Sequence, residues 1–382
     1  MLPSQRALFD IPADVAYLNA AAWSPLPRAT QEAARAAVAR KGQPWKLDAG
    51  FPNSQYERAR AAAAALIGAD ARDIALVSSV AYGVAVAGKV LSLARGSRVL
   101  VLENDHTSPV LEWIARAEVQ GFTVETVAQP ANGDWTSAVL EAIERPGALP
   151  LSLASISSIH WSDGGLLDLH RIREALRRHG TALLVDATHS VGVVATDVKA
   201  LDPDFLIFPT YKWVLGPYGR AFVYVAKRHQ EGVPLEQTAF GRRDVKAENP
   251  VYFADTRYLP DARRYDMGER DHFISMEMAA IGMEMMAGWG ARAVVERLAA
   301  LTRRISDRLA GTNMHRPDDR FRAPHILSLG FSDKALADVI ATLAREQVYV
   351  AARLGRMRIS PHVYNDEADV DRFVASMTRA LS

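Results

Sequence analysis

Two apolar runs in this sequence each end on residues that could do chemistry. ALLVDATHS, at 182–190, contains Asp186, and DFLIFPTYKWVLGPYG, at 204–219, delivers Thr210, Tyr211 and Lys212. If both runs are buried strands of one open α/β sheet, their carboxyl ends share the edge where such sheets bind ligands. An aspartate there has a plainer use as a helix cap or loop residue, and a strand-end lysine can lay its stem over aromatics with the ammonium in water. The neighbours of Lys212 favour the drier setting: Tyr211, Trp213, Val214 and Leu215 flank it. Desolvation lowers an amine's pKa and frees it as a nucleophile toward an aldehyde. A reactive lysine, together with a carboxylate able to keep a pyridine nitrogen protonated, is what pyridoxal 5′-phosphate (PLP) requires. The first forms its Schiff base and the second makes its ring an electron sink.

Positioning these residues takes a sheet. Between about 54 and 226, short apolar runs alternate with longer amphipathic segments, the pattern of βα units winding a mostly parallel sheet. Strands are predicted at 73–77, 98–103, 122–127, 149–157, 182–186, 205–209 and 219–226, with helices at 81–94, 109–119, 135–144 and 168–179. The fold class is therefore α/β, with a large mostly parallel seven-stranded sheet domain. A charge-rich, irregular stretch at 228–270 is too long for an ordinary connection and reads as functional or as an interface. Helices at 274–289 and 291–309 follow, then strand 325–331, helix 336–346, strand 348–360 and helix 367–381, a compact α+β layout. The expected division is a large cofactor-binding domain over 1–290 and a smaller α+β C-terminal domain over 291–382, with segment 1–50 placed to pack on the small domain.

Composition narrows the classes of function. A chain of 382 residues that is 49% hydrophobic can bury two cores. Its 45 basic and 44 acidic residues leave a net charge of +1, so neither nucleic acid nor an anionic membrane is an expected partner. With no cysteine there are no disulfides, thiolate metal sites or cysteine nucleophiles, and no metal is expected. No secretory pattern opens the sequence and no apolar run reaches membrane-spanning length, so the expected location is cytoplasmic. A nicotinamide fold is disfavoured because GxGxxG does not follow the first strand. A PLP-fold regulator would carry a basic helix-turn-helix, and none precedes Tyr17.

The order of DxxHS, TYKW and GPYG resembles the aminotransferase class V superfamily of fold-type-I PLP-dependent transferases. The resemblance runs from YLNAAAWSPLP at 17–27 to RISPHVYNDEADVDRF at 358–373. YKW and YDMGER, the latter at 265–270, are most similar to the isopenicillin N epimerase-like branch, with a tyrosine before the lysine as in kynureninases. The resemblance implies Lys212 as the Schiff-base lysine and Asp186 as the pyridine partner. It places His189 near the cofactor's phenolic oxygen, where glutamine is frequent, and His106 in ENDHTS where an aromatic ring stacks on the pyridine. VSSVAYG, at 77–83, corresponds to the phosphate loop, with Ser79, Val80 and Ala81 offering backbone N–H groups at a helix start. A threonine commonly helps there; with Val80 and Ala81 in its place, Thr210 and Tyr211 are the expected hydroxyl donors. Arg358 matches the arginine that pairs with a substrate α-carboxylate, as a planar fork does well, with Arg353 and Arg356 as competitors. Asn19 and Ala20 resemble the segment that closes over the substrate. A homodimer is implied, with Arg242, Arg243 and Arg270 as candidates to reach the partner's phosphate or substrate.

Cysteine desulfurases of this superfamily use a cysteine on a loop just before the segment equivalent to Arg358. Here that loop shrinks to 354–356 and no thiolate exists to attack, which excludes that route. Once Lys212 has taken the α-proton, transamination, racemisation or epimerisation, and elimination of a β-substituent all remain open. Similarity to C–S lyases that cleave cysteine conjugates makes β-elimination the expectation, with aminotransferase and amino-acid epimerase or racemase as alternatives.

Overall fold

The computed structural model of the chain describes residues 2–270, 272–312, 314–331 and 336–381. Its centre is a seven-stranded sheet in the order Ile74–Val77, Ala221–Val225, Phe205–Pro209, Ala182–Asp186, Leu151–Ser157, Arg98–Leu102, Thr123–Val127. All neighbours run parallel except Ala221–Val225, which is antiparallel to both strands beside it. The α/β class and the mostly parallel seven-stranded sheet are as expected. Helices cover both faces of such a sheet, so its strands read as continuous apolar runs. IALV, FLIFP and AFVYV are buried at every position, whereas the edge strand TVETV is largely open.

Register brings the chemistry together. Ser157 pairs with Asp186 and Asp186 with Ile207, so three strands end side by side. Ala221 pairs with Val77 on one side and Pro209 on the other, which sets the residue before it, Arg220, between the turn after Val77 and the turn after Pro209. Helix Val80–Val90 begins there, capped by Ser79, whose Oγ accepts the Tyr82 N–H. The helix lies close on the sheet because Gly83 has no side chain: a Cβ there would sit 2.8 Å from Val223 and 3.0 Å from Ile207.

Helices Ser108–Gln120, Trp135–Glu144 and Leu169–Arg178 fall where expected, within a few residues. Two others, Arg28–Lys41 and Phe51–Leu66, pack on Phe273–Trp289; the alanine-rich run at 61–65 fits the second as a helix, whereas the first lies outside the predicted set. That last helix also touches the loop after Lys212, where a Cβ on Gly282 would come 2.4 Å from the Val214 carbonyl.

The single strand predicted at 348–360 is three pieces. Val348–Tyr349 pairs in parallel with Ala16–Tyr17, and Ala351–Arg353 turns back on Arg356–Ile359, which also pairs with Leu327–Gly330. Leu354 and Gly355 make the turn at φ 46° and 76°. Two successive positive-φ residues are what a tight two-residue hairpin needs, and apolar alternation on either side hides the break.

The stretch at 228–270 contains a small hairpin, Arg242–Asp244 with Asp255–Tyr258, and ends on YDMGER. Asp266 of that motif is fully buried, bonded to both terminal nitrogens of Arg60 at 3.1 and 2.7 Å and to the Leu76 N–H at 2.9 Å. The Met267 N–H in turn donates to the Leu76 carbonyl. The motif therefore clamps the strand that leads to Ser79. Arg270 is also bound to Asp266, so this arginine is engaged within its own chain. Arg242 and Arg243 likewise donate to their own hairpin, at Thr256 and Tyr258. Among the described residues, no helix is long and apolar enough to cross a membrane.

Candidate active site

Lys212 sits on the turn after Phe205–Pro209 with 7% of its surface exposed. Its Nζ lies 3.5 Å from His189 Nε2 and 5.5 Å from the Tyr211 ring centre. Burial, reinforced by the Arg358 charge and opposed by that of Asp186, lowers its pKa to about 7. An amine in that range is unprotonated often enough to act as nucleophile or base at neutral pH.

Asp186 ends its strand facing the same cleft. Its Oδ1 accepts from the Thr188 N–H at 2.9 Å and from the Thr188 hydroxyl, and its backbone carbonyl accepts from Ser158. Oδ2 has no protein donor among the described residues, so one carboxylate oxygen is fixed and the other is available. Asp105 lies behind, taking the Ser157 hydroxyl and the His106 N–H, each at 2.7 Å. Burial and the nearby Asp186 charge push Asp105 up to about 6, against the pull of His160.

At the other end of the cleft Ser78, Ser79 and Val80 meet Arg220. Arg220 is 6% exposed; its Nε donates to Ser275 Oγ at 2.5 Å and its Nη1 reaches only the sulfur of Met267, at 3.8 Å. Burial alone lowers its pKa, and among the described residues no carboxylate pairs with it. A buried guanidinium beside a helix N-terminus, lacking an anion of its own, is a fitting seat for a phosphate dianion. Arg358 is more enclosed, at 1% exposure, with Nη1 on the Trp161 carbonyl at 2.6 Å and Nε without a partner. Burial first, then the charge of Arg353, bring it down to about 9. Arg353 and Arg356 are less buried and turn to Ala352 and His315, so of the three Arg358 is the enclosed guanidinium.

Seven of the expected residues, Ser79, Val80, His106, Asp186, His189, Tyr211 and Lys212, line one cleft. His106 stands at its mouth, edge-on to Trp161 at 6.1 Å. Thr210 does not join them: its hydroxyl is spent on the Pro217 carbonyl at 2.5 Å, bracing the turn that carries Lys212, so the expectation of a phosphate donor there is corrected. Ala81, Asn19, Ala20 and Arg358 also lie off the cleft wall, Arg358 behind Trp161, which does line it. Asn19 and Ala20 bridge to Ser360, two residues beyond Arg358, and Asn19 Oδ1 is buried without a partner. Their segment still reaches the site, since the Ser24 N–H donates to the Tyr211 carbonyl and Trp23 packs 5.5 Å from Tyr218.

Sequence reasoning missed Arg220, Thr188 and Asp105. Arg220 had a signal, a cation opening the otherwise apolar strand AFVYV, and Thr188 had one in the D-x-T spacing of an Asx turn. Asp105 shows only in three dimensions. A roomier cavity of about 450 Å³, bounded by Leu166, Leu167, Leu201 and Leu206, carries exposed polar side chains at Asp168, His170 and Arg171. The titratable groups with perturbed pKa values converge instead on the smaller cleft, which is the better candidate for chemistry.

The sequence profile of the family described as aminotransferase class-V matches residues 16–373. This chain belongs to the aminotransferase class-V family. An uncharacterized aminotransferase of Bacillus subtilis (strain 168), YcbU, is 26% identical over 86% of this class-V chain and 84% of that protein. A kynureninase of Burkholderia pseudomallei (strain K96243) is 26% identical over 78% of the chain and 71% of that protein. Among solved structures, the apo cysteine desulfurase of Thermococcus onnurineus NA1 has a TM-score of 0.85 at 19% identity, covering 98% of this chain and 96% of that one. The cystine C–S lyase C-DES, solved with cysteine persulfide, has a TM-score of 0.84 at 19% identity over 96% and 97%. At such identities the structural likeness shows the fold. Family membership makes the protein a PLP-dependent lyase or transferase, and the amine, the half-free carboxylate and the two buried guanidinium groups fit that cofactor with an amino-acid substrate.

Proposed function

We propose that this class-V protein eliminates a sulfur leaving group from Cβ of a cysteine-derived α-amino acid, a C–S lyase reaction, within the epimerase-like branch and as a homodimer. The observation that carries this reading is a buried amine brought to about 7 by burial and by the charge of the buried Arg358 guanidinium, in a chain without any thiol. Without a cysteine the chain cannot take sulfur as a persulfide on itself, so the desulfurase names of some relatives do not transfer. When bound, PLP supplies an aldehyde for the substrate amine and a pyridinium ring that takes up charge released at Cα.

Each residue then has one task. Lys212 would hold the cofactor and, with its Nζ free once substrate is bound, would take the α-proton. Asp186, held by Thr188 through Oδ1, would keep the ring nitrogen protonated. Arg358 receives the α-carboxylate, while Ser79, Val80 and Arg220 receive the phosphate. His106 would cover the ring, and Trp161 backs Arg358. The electron pair of the Cα–H bond would form Cα=Cβ as the Cβ–S pair leaves on sulfur, which takes up a proton as a thiol; the released enamine would add water to give pyruvate and ammonia.

Transamination is the second reading, favoured by the name of the Bacillus subtilis relative. One experiment separates the two. The holoenzyme is given a single S-substituted cysteine with no keto acid, and pyruvate and thiol are followed. A lyase turns over continuously; an aminotransferase stops after one equivalent and resumes when a keto acid is added. Stalling overturns the lyase proposal, and solvent deuterium entering Cα without either product points to an epimerase.

A further inference from the structure

Trp213 follows Lys212 and is among the most enclosed side chains in the protein, at 1% exposure. Its indole nitrogen is not buried idly: Nε1–H donates to His189 Nδ1 at 3.0 Å. Indole is a donor only, so His189 Nδ1 must be the bare, accepting nitrogen of that ring. Burial first, then the charges of Lys212, Arg358, His325 and His106, hold His189 far below its ordinary pKa, so it carries a single proton. That proton has one place left, on Nε2, and Nε2 is the nitrogen that faces Lys212 Nζ at 3.5 Å. We propose that Trp213 is a positioning residue that locks His189 as an Nε2–H donor directed at the lysine side of the site.

The indole is itself held. His325 packs edge-on to it at 4.4 Å and donates Nε2–H to the His189 carbonyl at 2.8 Å. On another face His362 stacks at 5.5 Å, with Nε2 on the Trp213 carbonyl at 3.1 Å and Nδ1 accepting the Val363 N–H at 2.7 Å. Burial brings His325 to about 3 and His362 to about 4, so both stay neutral and their orientations do not change across the physiological range. Tryptophan, His189 and Lys212 thus form one directed chain of hydrogen-bonding atoms, braced by two neutral imidazoles.

The lock acts on Lys212 through a simple asymmetry. A fixed N–H donor can meet an amine lone pair but repels an ammonium, which has only donors to offer. Locking the tautomer therefore favours the unprotonated lysine, in the same direction as burial and Arg358 and against Asp186. Freed from Trp213, His189 could move its proton to Nδ1 and accept from an ammonium, and Lys212 would titrate higher. The lock concerns these residues alone and stands whichever substrate bond the enzyme breaks.

The test uses the full-length protein with 15N-labelled histidine, in both cofactor-free and cofactor-loaded forms. In the cofactor-free wild type, His189 should show a protonated Nε2 and a bare Nδ1 between pH 6 and 9, a range set around the ordinary histidine pKa of about 6.5. Trp213→Phe keeps a ring between His325 and His362 but lacks the N–H. In it the His189 signals should move toward the other tautomer, and the pH midpoint for amine labelling of Lys212 should rise by about one unit. In a His189→Gln background, Trp213→Phe should leave the Lys212 midpoint where His189→Gln alone puts it. A wild-type His189 protonated on Nδ1, or on both nitrogens, overturns the lock even if Trp213→Phe fails to fold. So does a midpoint shift that persists unchanged in the His189→Gln background, which would mean that Trp213 acts by packing.

Discussion

Arg358 acts on Lys212 from a different sheet: one sits on the short strand Arg356–Ile359, the other on the turn after Phe205–Pro209. After burial, the Arg358 charge is the largest influence holding the lysine down to about 7, and Asp186 is the opposing charge. Removing the cation should raise the Lys212 midpoint and removing the anion should lower it. Arg358→Gln and Asp186→Asn in the cofactor-free protein, with the pH dependence of amine labelling read by peptide mapping, check both signs. Movement in the same direction would refute the arrangement.

In the loaded enzyme, borohydride should bleach the visible band and fix the cofactor on Lys212. Lys212→Ala should remain folded and lose that adduct. A label on Lys227 instead would show that the lysine was misassigned.

Arg220 should matter for phosphate and little else. Arg220→Gln is expected to weaken PLP binding about ten- to hundredfold, the scale of one hydrogen bond to a charged group. Pyridoxal, which lacks the phosphate, should bind both proteins alike in a fluorescence titration. Equal losses for the two ligands would place Arg220 in the scaffold.

Most of the seven strands were legible because strands buried in the middle of the sheet are unbroken apolar runs such as FLIFP and, in the antiparallel strand, AFVYV. Lys212 and Asp186 were legible because each follows such a run. Helix Arg28–Lys41 was harder, since only Thr30 and Ala37 are buried on it and its apolar stripe is thin. The short loop at 354–356 was read from the sequence, but a left-handed leucine leaves no mark in a one-letter string, so the strand around it was taken as unbroken. Thr210 misled for another reason: a hydroxyl next to the reactive lysine was free on paper, and the turn it braces exists only after folding.

YDMGER makes a prediction about stability. Asp266→Asn would leave Arg60 and Arg270 buried against a neutral amide, a loss of about 3–5 kcal/mol by the measure of broken buried pairs. Denaturant unfolding at neutral pH checks this. The Asp266 pKa is lowered from 3.8 despite burial, by Arg60 above all, so its contribution is present above about pH 4 and fades as pH falls further. The difference between variant and wild type should therefore shrink in acid; a gap that widens there would contradict the ion pair.

Light scattering should report a homodimer. The exposed Val251, Tyr252 and Phe253, in the stretch between the sheet and helix Phe273–Trp289, are the apolar surface such a contact would cover. A fully active monomer would refute it.

The parallel pairing of Ala16–Tyr17 with Val348–Tyr349, and of Asn19 with Ser360, has a consequence in time. On the ribosome the first of these partners emerges long before the second, while the strands around Asp186 and Lys212 already have their neighbours. The nascent chain can thus assemble the cofactor cradle and must wait, its leading segment unpaired, until Arg358 and the residues after it arrive. Closing so distant a contact is the slow kind of step in folding. Competence to hold an amino acid should appear last during synthesis, after competence to hold PLP.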